Sequence, residues 1–150
     1  METLRITSEN ELEGIAIIAL GMLALISNEG KTPVLALSGD LGAGKTTFMQ
    51  FFARELHIEE VVTSPTYVIM KKYDVDTSAV EIFSSLIHMD VYRIEDQDEM
   101  RVLHFNELLC EKDTVICIEW AEKIIELLPA HTIYMKIEST GEQSRTITFS

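Results

Sequence analysis

The residues that most directly indicate chemistry form one short segment, Gly-Asp-Leu-Gly-Ala-Gly-Lys-Thr, at positions 39–46. This segment matches the phosphate-loop pattern G-x-x-x-x-G-K-[ST] in full. Glycines let the backbone wrap closely around a phosphate, and the positive end of the following helix adds to the attraction. We therefore expect Lys45 to reach the β- and γ-phosphates of a nucleotide and the Thr46 hydroxyl to bind Mg²⁺. The predicted nucleotide-binding residues of this segment are Gly39, Asp40, Leu41, Gly42, Ala43, Gly44, Lys45, Thr46 and Thr47.

A phosphate loop of this kind needs a second acidic group to hold Mg²⁺, and two carboxylates are candidates. Asp90 follows the apolar run 86–89, and Glu119 follows the apolar run 115–118. Both are expected at the carboxyl ends of buried strands, where ligands bind in open α/β sheets. Each is a candidate for holding the metal or for orienting the attacking water. The sequence does not separate these two roles, and an ordinary surface carboxylate remains the alternative for either residue.

Three further side chains are weaker candidates. Thr66, in the turn Ser-Pro-Thr, could sense the γ-phosphate through Mg²⁺, or it could belong to an ordinary proline turn. His88 shares a strand face with Asp90 and could orient a water, although a buried core histidine is the simpler interpretation. Trp120, the only tryptophan, follows Glu119 and is expected either beside the nucleotide or in the core.

Strands and helices alternate around this segment. The run 33–38 predicts a buried strand before the loop, and 45–57 predicts a helix after it. We predict one α/β domain over residues 1–150, a P-loop NTPase-like three-layer sandwich with a mixed, mostly parallel central sheet. The other predicted strands are 67–73, 81–89, 114–118, 133–137 and 145–149, and the other predicted helices are 7–27, 96–109 and 121–128.

The charge balance argues against two classes of partner. The chain carries 25 acidic and 12 basic residues, a net charge of −13. Because so acidic a surface repels nucleic acid and anionic membranes, we expect neither stable nucleic-acid binding nor membrane association. A phosphate ligand then requires a local site that overcomes the overall field, and the glycine-rich loop is that site.

Two cysteines and one apolar segment bear on the compartment. Two cysteines make neither a disulfide framework nor a zinc site, and a reducing cytoplasm fits them best. The apolar segment 14–26 has 13 residues, fewer than the roughly 20 that span a bilayer. We expect it to be a core helix, with contact to a partner protein as the alternative.

Four motifs together resemble the TsaE family, formerly called YjeE. In chain order they are Ser-Gly-Asp-Leu-Gly-Ala-Gly-Lys-Thr-Thr at 38–47, Thr-Ser-Pro-Thr-Tyr at 63–67, His-x-Asp-x-Tyr-Arg at 88–93 and Ile-Glu-Trp at 118–120. The resemblance covers nearly the whole chain, and the last three motifs are more specific than the phosphate loop alone.

The resemblance implies a weakly active ATPase that works with the TsaD and TsaB proteins in tRNA threonylcarbamoyladenosine biosynthesis. By position, Lys45 and Thr46 would bind phosphate and Mg²⁺, and Asp90 and Glu119 would be the acidic metal and catalytic groups. Thr66 would belong to a switch-like loop, and Trp120 would lie near the nucleotide, ATP or ADP. We further expect exposed acids to dock on a basic, tRNA-facing surface of the partners, among them Glu95, Asp96, Asp98 and Glu99.

Two other functions are compatible with the phosphate loop. A small-molecule kinase would need an arginine-rich lid, which the sequence does not contain. An ATP sensor that does not hydrolyse its ligand would not need both Asp90 and Glu119. Because the GTPase motif N-K-x-D is absent from the sequence, ATP is the expected nucleotide.

Overall fold

The apolar runs of the sequence form the centre of one sheet in the computed structural model, which describes residues 2–150. Within these residues the sheet has seven strands, in the order β1-β7-β6-β2-β5-β4-β3. The strands are β1 (Glu2–Ile6), β2 (Val34–Ser38), β3 (Met70–Asp74), β4 (Ser85–Asp90), β5 (Thr114–Glu119), β6 (Ile133–Ser139) and β7 (Arg145–Phe149).

Helices cover both faces of this sheet. Side chains alternate along each strand, so Leu35 and Leu37 face one layer while Val34 and Ala36 face the other. The first layer contains α1 (Leu12–Asn28) and α2 (Lys45–Glu55), which pack against each other. The second contains the one-turn helices α3 (Glu99–Val102) and α4 (Phe105–Leu108) and a 3₁₀ segment, Ala121–Leu127. The three-layer α/β sandwich predicted from the sequence is confirmed.

The pairing of the strands decides where the candidate residues meet. β6, β2, β5 and β4 are mutually parallel, whereas the three pairings outside them are antiparallel, so within residues 2–150 half of the six pairings are parallel. In the parallel register Asp90 lies opposite Glu119, and Glu119 lies opposite Leu37. Because β2 ends at Ser38, the glycine-rich loop begins at the same edge of the sheet as both carboxylates.

Several predicted boundaries are wrong, each for a local reason. The helix expected over 96–109 is two one-turn helices, because His104 between them takes a left-handed conformation with φ +53°. β3 begins at Met70 rather than 67, since the amides of Val68 and Ile69 both bond to Pro65 O in a turn. β4 begins at Ser85 rather than 81. The edge strand β1 is not predicted, because its two apolar residues, Leu4 and Ile6, alternate with polar ones and form no apolar run.

Helix α1 is partly buried. Its residues Leu12, Ala16 and Leu23 belong to the core, while Ile17 and Leu25 are exposed. Together with the preceding turn it forms the one helix of residues 2–150, Glu9–Asn28, that is long and apolar enough to cross a bilayer. The core helix of a globular protein meets the same criteria, and this length alone does not indicate a membrane protein.

The glycine-rich loop begins at Gly39, where the structure leaves no room for a side chain. Gly39 has φ +142°, and a Cβ built on it would lie 2.3 Å from Ile137 O in the backbone of β6. We predict that Gly39→Ala lowers the free energy of unfolding by about 3 kcal/mol or more, because steric overlap adds to backbone strain. Urea denaturation measures this change.

Gly30→Ala is the matched control for that substitution. Gly30 also has a positive φ, +76°, but a Cβ added there would have no atom within 4 Å. It should therefore show the conformational cost alone, about 1 kcal/mol. Equal losses for the two variants would contradict the assigned close approach of Gly39 to Ile137 O.

Candidate nucleotide site

A cleft of about 360 Å³ opens where β2, β4 and β5 end. Its floor is the loop between β2 and α2, closed by a bond from the Ala43 amide to Asp40 O and continued into the helix by Phe48 N to Gly44 O. Predicted residues from all four motifs meet here. The lining residues are Leu41, Gly42, Gly44, Lys45, Thr46, Thr47, Ser64, Thr66, Asp90, Tyr92, Glu119 and Trp120. Gly39, Asp40 and Ala43 contribute to the loop without lining the cleft.

Lys45 is folded against its own loop. Its Nζ donates to Gly39 O at 2.6 Å and to Asp40 O at 2.9 Å, and it lies 4.0 Å from the ring centroid of Trp120. Only 5% of the residue is exposed. Burial lowers the pKa of the Lys45 ammonium, and nearby carboxylates, above all that of Glu119, oppose part of this shift. The ammonium is therefore a desolvated charge that an anion in the cleft would stabilise.

Glu119 is a buried carboxylate with two side-chain partners. It is 2% exposed, and the Thr46 hydroxyl donates to its two carboxylate oxygens at 3.1 Å each. His88 Nε2 lies 2.8 Å from Glu119 Oε1, while His88 Nδ1 is buried without a hydrogen-bond partner among the described residues. His88 is fully buried, as the core interpretation expects, and it also contacts a site residue. Its contact fixes the orientation of the carboxylate.

Asp90 binds the loop that carries the Ser-Pro-Thr turn. Its Oδ2 accepts hydrogen bonds from Ser64 Oγ at 2.6 Å and from Thr66 Oγ1 at 2.8 Å. Its Oδ1 accepts the backbone amide of Tyr92 at 2.9 Å. Asp90 is 3% exposed, so these bonds replace most of its hydration. A movement of the 64–66 loop would therefore break or displace two hydrogen bonds of the Asp90 carboxylate.

The donor set fits Mg²⁺. Thr46, Glu119 and Asp90 offer hydroxyl and carboxylate oxygens, which are the ligands that this ion prefers. No group of three His, Cys, Asp or Glu side chains within residues 2–150 could hold a metal alone. Mg²⁺ usually binds through one or two protein groups together with substrate phosphates. The hydroxyl and carboxylate oxygens of this cleft match that mode of binding.

Trp120 lies at the mouth of the cleft. It has a left-handed backbone conformation with φ +60°, directly after β5. Its ring is 4.9 Å from the ring of Tyr92, centroid to centroid, at an angle of 51°. The sequence leaves its place open between the nucleotide site and the core, and the structure places it in the lining of the cleft.

Two residues that contact this site have no role predicted from the sequence. Ser64 is predicted only as part of a turn, although hydroxyls on both sides of Pro65 are a signal for a shared acceptor. Arg145 is predicted only as the start of a hairpin strand, but it is 8% exposed and its Nε donates to Ala43 O at 2.9 Å. A single arginine after a polar turn gives no pattern that points to a loop about 100 positions away.

Comparison with known proteins points to one family. The family model described as "Threonylcarbamoyl adenosine biosynthesis protein TsaE" matches residues 7–147. The tRNA threonylcarbamoyladenosine biosynthesis protein TsaE of Bacillus subtilis is 43% identical over 117 residues, 78% of this chain and 68% of that protein. The protein of the same name from Borreliella burgdorferi is 34% identical over 111 residues, 72% of this chain and 76% of that one. The crystal structure of YdiB from Bacillus subtilis superposes with a TM-score of 0.67 at 33% identity, covering 99% of this chain and 83% of that chain.

The buried ammonium gives a prediction about pH. Because burial lowers the pKa of Lys45 in the folded protein, the unfolded chain binds more protons between that lowered pKa and about 10.4, the usual lysine value. The free energy of unfolding of the parent, minus that of Lys45→Met, should therefore rise with pH in this window and stay constant below it. Each pKa unit contributes about 1.4 kcal/mol.

Urea denaturation of both proteins at pH values from about 7 to 10.5 measures this difference. Lys112→Met, which removes one charge from an exposed position, is the matched control and should show no such rise. A difference for Lys45→Met that falls with pH would contradict the assigned desolvation.

Proposed function

This chain belongs to the TsaE family of threonylcarbamoyladenosine biosynthesis proteins, and from that membership we propose that it binds and hydrolyses ATP in support of this tRNA modification. The observation that carries the proposal is the convergence of Lys45, Thr46, Asp90 and Glu119 on one cleft. An ammonium, a hydroxyl and two carboxylates beside a glycine-rich loop are the groups that phosphoryl transfer from a nucleotide requires.

The first step that this geometry supports is capture of the phosphates. Lys45 would exchange its bonds to Gly39 O and Asp40 O for oxygens of the β- and γ-phosphates. The burial of Lys45 favours this exchange, because the attraction between a buried ammonium and an anion is screened less than the same attraction in water. The amides at the start of α2 would hold the same phosphates, with the positive end of the helix behind them.

The carboxylates would then act on the metal and the water. Mg²⁺, when bound, would offset charge that develops on the transferred phosphoryl group. Thr46 and Glu119, already hydrogen-bonded to each other, would hold the ion directly or through water. Asp90 is bonded to Ser64 and Thr66 and would link the ion or the attacking water to that loop. Thr66 would thereby respond to the presence of the γ-phosphate.

We propose TsaD and TsaB as the partners of this reaction. No arginine lines the cleft within residues 2–150, so the chain lacks a group of its own to stabilise transition-state charge opposite Lys45. Hydrolysis should be slow until a partner completes the site. The exposed acids Glu95, Asp96, Asp98 and Glu99 suit a basic partner surface, and tRNA would then be held by the partners in the cytoplasm rather than by this chain.

The fluorescence of Trp120 tests the nucleotide. Its indole lies against Lys45 and Tyr92, so a phosphate that draws Lys45 away should change its emission. We predict saturable changes with Mg-ATP and Mg-ADP, and at least tenfold weaker binding of Mg-GTP. Lys45→Met should weaken Mg-ATP binding by about tenfold or more, measured for this variant by isothermal titration calorimetry. Preference for Mg-GTP, or no response to any nucleotide, would contradict the proposal.

Phosphate release with and without TsaD and TsaB tests the reaction. We predict slow hydrolysis alone, acceleration by the two partners, and a loss of about 100-fold in Glu119→Ala. Glu126→Ala, at an exposed acid of the 3₁₀ segment that follows β5, is the matched control and should match the parent.

Three outcomes of that experiment would count against the proposal. Equal rates with and without the partners would remove their role. ADP formation that depends on an added metabolite would indicate a kinase. Normal hydrolysis in Glu119→Ala would leave the carboxylate without the assigned function.

A further inference from the structure

Arg145 connects the C-terminal hairpin to the phosphate loop. It is the first residue of β7, and its side chain crosses to the loop, where Nε donates to Ala43 O at 2.9 Å. The other end of the guanidinium is fixed in the turn before β7: Nη1 donates to the carbonyl oxygens of Gly141, Glu142 and Ser144 at 3.0–3.3 Å. Among residues 2–150 no carboxylate lies within 4.0 Å of this cation, although the chain carries an excess of acids.

The hydrogen bond to Ala43 O also determines the direction of the Gly44 N–H. In a trans peptide the carbonyl and the following N–H point in opposite directions. Holding Ala43 O toward Arg145 therefore points the N–H of Gly44 away from Arg145. Gly44 lines the cleft, and its Cα is close enough that an added Cβ would lie 3.7 Å from Arg145 Nε.

Gly44 also allows the peptide group between Ala43 and Gly44 to flip. Its φ is +110°, a conformation that glycine adopts without penalty, and glycine passes readily between such states. The freedom that lets the loop curve thus also allows the 43–44 peptide to flip and present its carbonyl to the cleft. A carbonyl in that position would repel a phosphate that an amide would bind.

We propose, on the basis of the function proposed above, that Arg145 is a positioning residue that prevents this flip and so keeps the Gly44 amide available to a phosphate. The turn at 140–144 is a firm support, because it is closed by bonds from Thr140 N to Ser144 O at 3.0 Å and between their hydroxyls at 3.2 Å. The hairpin therefore belongs to the nucleotide site without contacting the nucleotide.

Two variants distinguish the role of the hydrogen bonds of Arg145 from the role of its charge. Arg145→Met removes both the hydrogen bonds and the charge. Arg145→Lys keeps the charge but lacks the fork that binds Ala43 O and the turn at the same time. Arg5→Met is the control for charge, since Arg5 is exposed on the neighbouring strand β1.

The test is the affinity for Mg-ADP and for inorganic pyrophosphate, read from Trp120 fluorescence, with thermal unfolding as the measure of folding. We expect both ligands to bind about tenfold more weakly to Arg145→Met and at least threefold more weakly to Arg145→Lys, and normally to Arg5→Met. Parent affinity in Arg145→Met, or in Arg145→Lys, would overturn the proposal. If Arg145→Met fails to fold, Arg145→Lys decides.

A spectroscopic readout separates positioning from a merely structural role. In protein labelled with ¹⁵N-glycine, Mg-ADP should shift the Gly44 amide resonance of the parent, and this shift should be reduced in Arg145→Lys even at saturating ligand. An unchanged Gly44 shift would overturn the proposal. Failure of the parent itself to bind Mg-ADP would instead count against the proposed function, so the two failures are distinguishable.

Discussion

The burial of the Glu119 carboxylate is the constraint on which the arrangement of the site depends. A carboxylate that is 2% exposed has lost its water and must be hydrogen-bonded, or the folded state becomes costly. Its partners are Thr46 and His88, so the first turn of α2, strand β4 and strand β5 must meet at one point. The parallel register of the strands provides this meeting, and the apolar layers on both faces of the sheet hold it in place.

Two buried carboxylates and one buried ammonium set a condition on any phosphate that the proposed site would bind. Lys45 alone does not neutralise Asp90 and Glu119, and its own pKa is lowered by burial. A nucleotide phosphate gains from Lys45 and the loop amides, but its charge is compatible with two nearby carboxylates only if a divalent cation accompanies it. The proposed site would therefore favour the nucleotide–metal pair over the free nucleotide, and the net charge of −13 would strengthen that preference.

The sequence predicted the parts of the site that depend on local pattern. The phosphate loop, the strand-end positions of Asp90 and Glu119, and the alternation that builds the central sheet are all short-range signals. The role of Ser64, the contact of Arg145 with Ala43 and the edge strand β1 depend on pairings between distant segments, which no short-range pattern indicates. The division of the expected helix 96–109 rests on one left-handed residue, His104, whose type does not require that conformation.

The two halves of the mixed sheet then serve different purposes. The side formed by β4 and β5 carries Asp90 and Glu119, the groups suited to chemistry. The side formed by β6 and β7 carries none of the lining residues but supports the loop from behind. Ile137 O leaves no room for a side chain at Gly39, and Arg145 holds Ala43 O. A phosphate loop needs glycines for its shape, and glycines alone leave it mobile. The antiparallel hairpin contacts the loop at the two points where the loop begins and ends, although its own strands contribute no residue to the lining of the cleft.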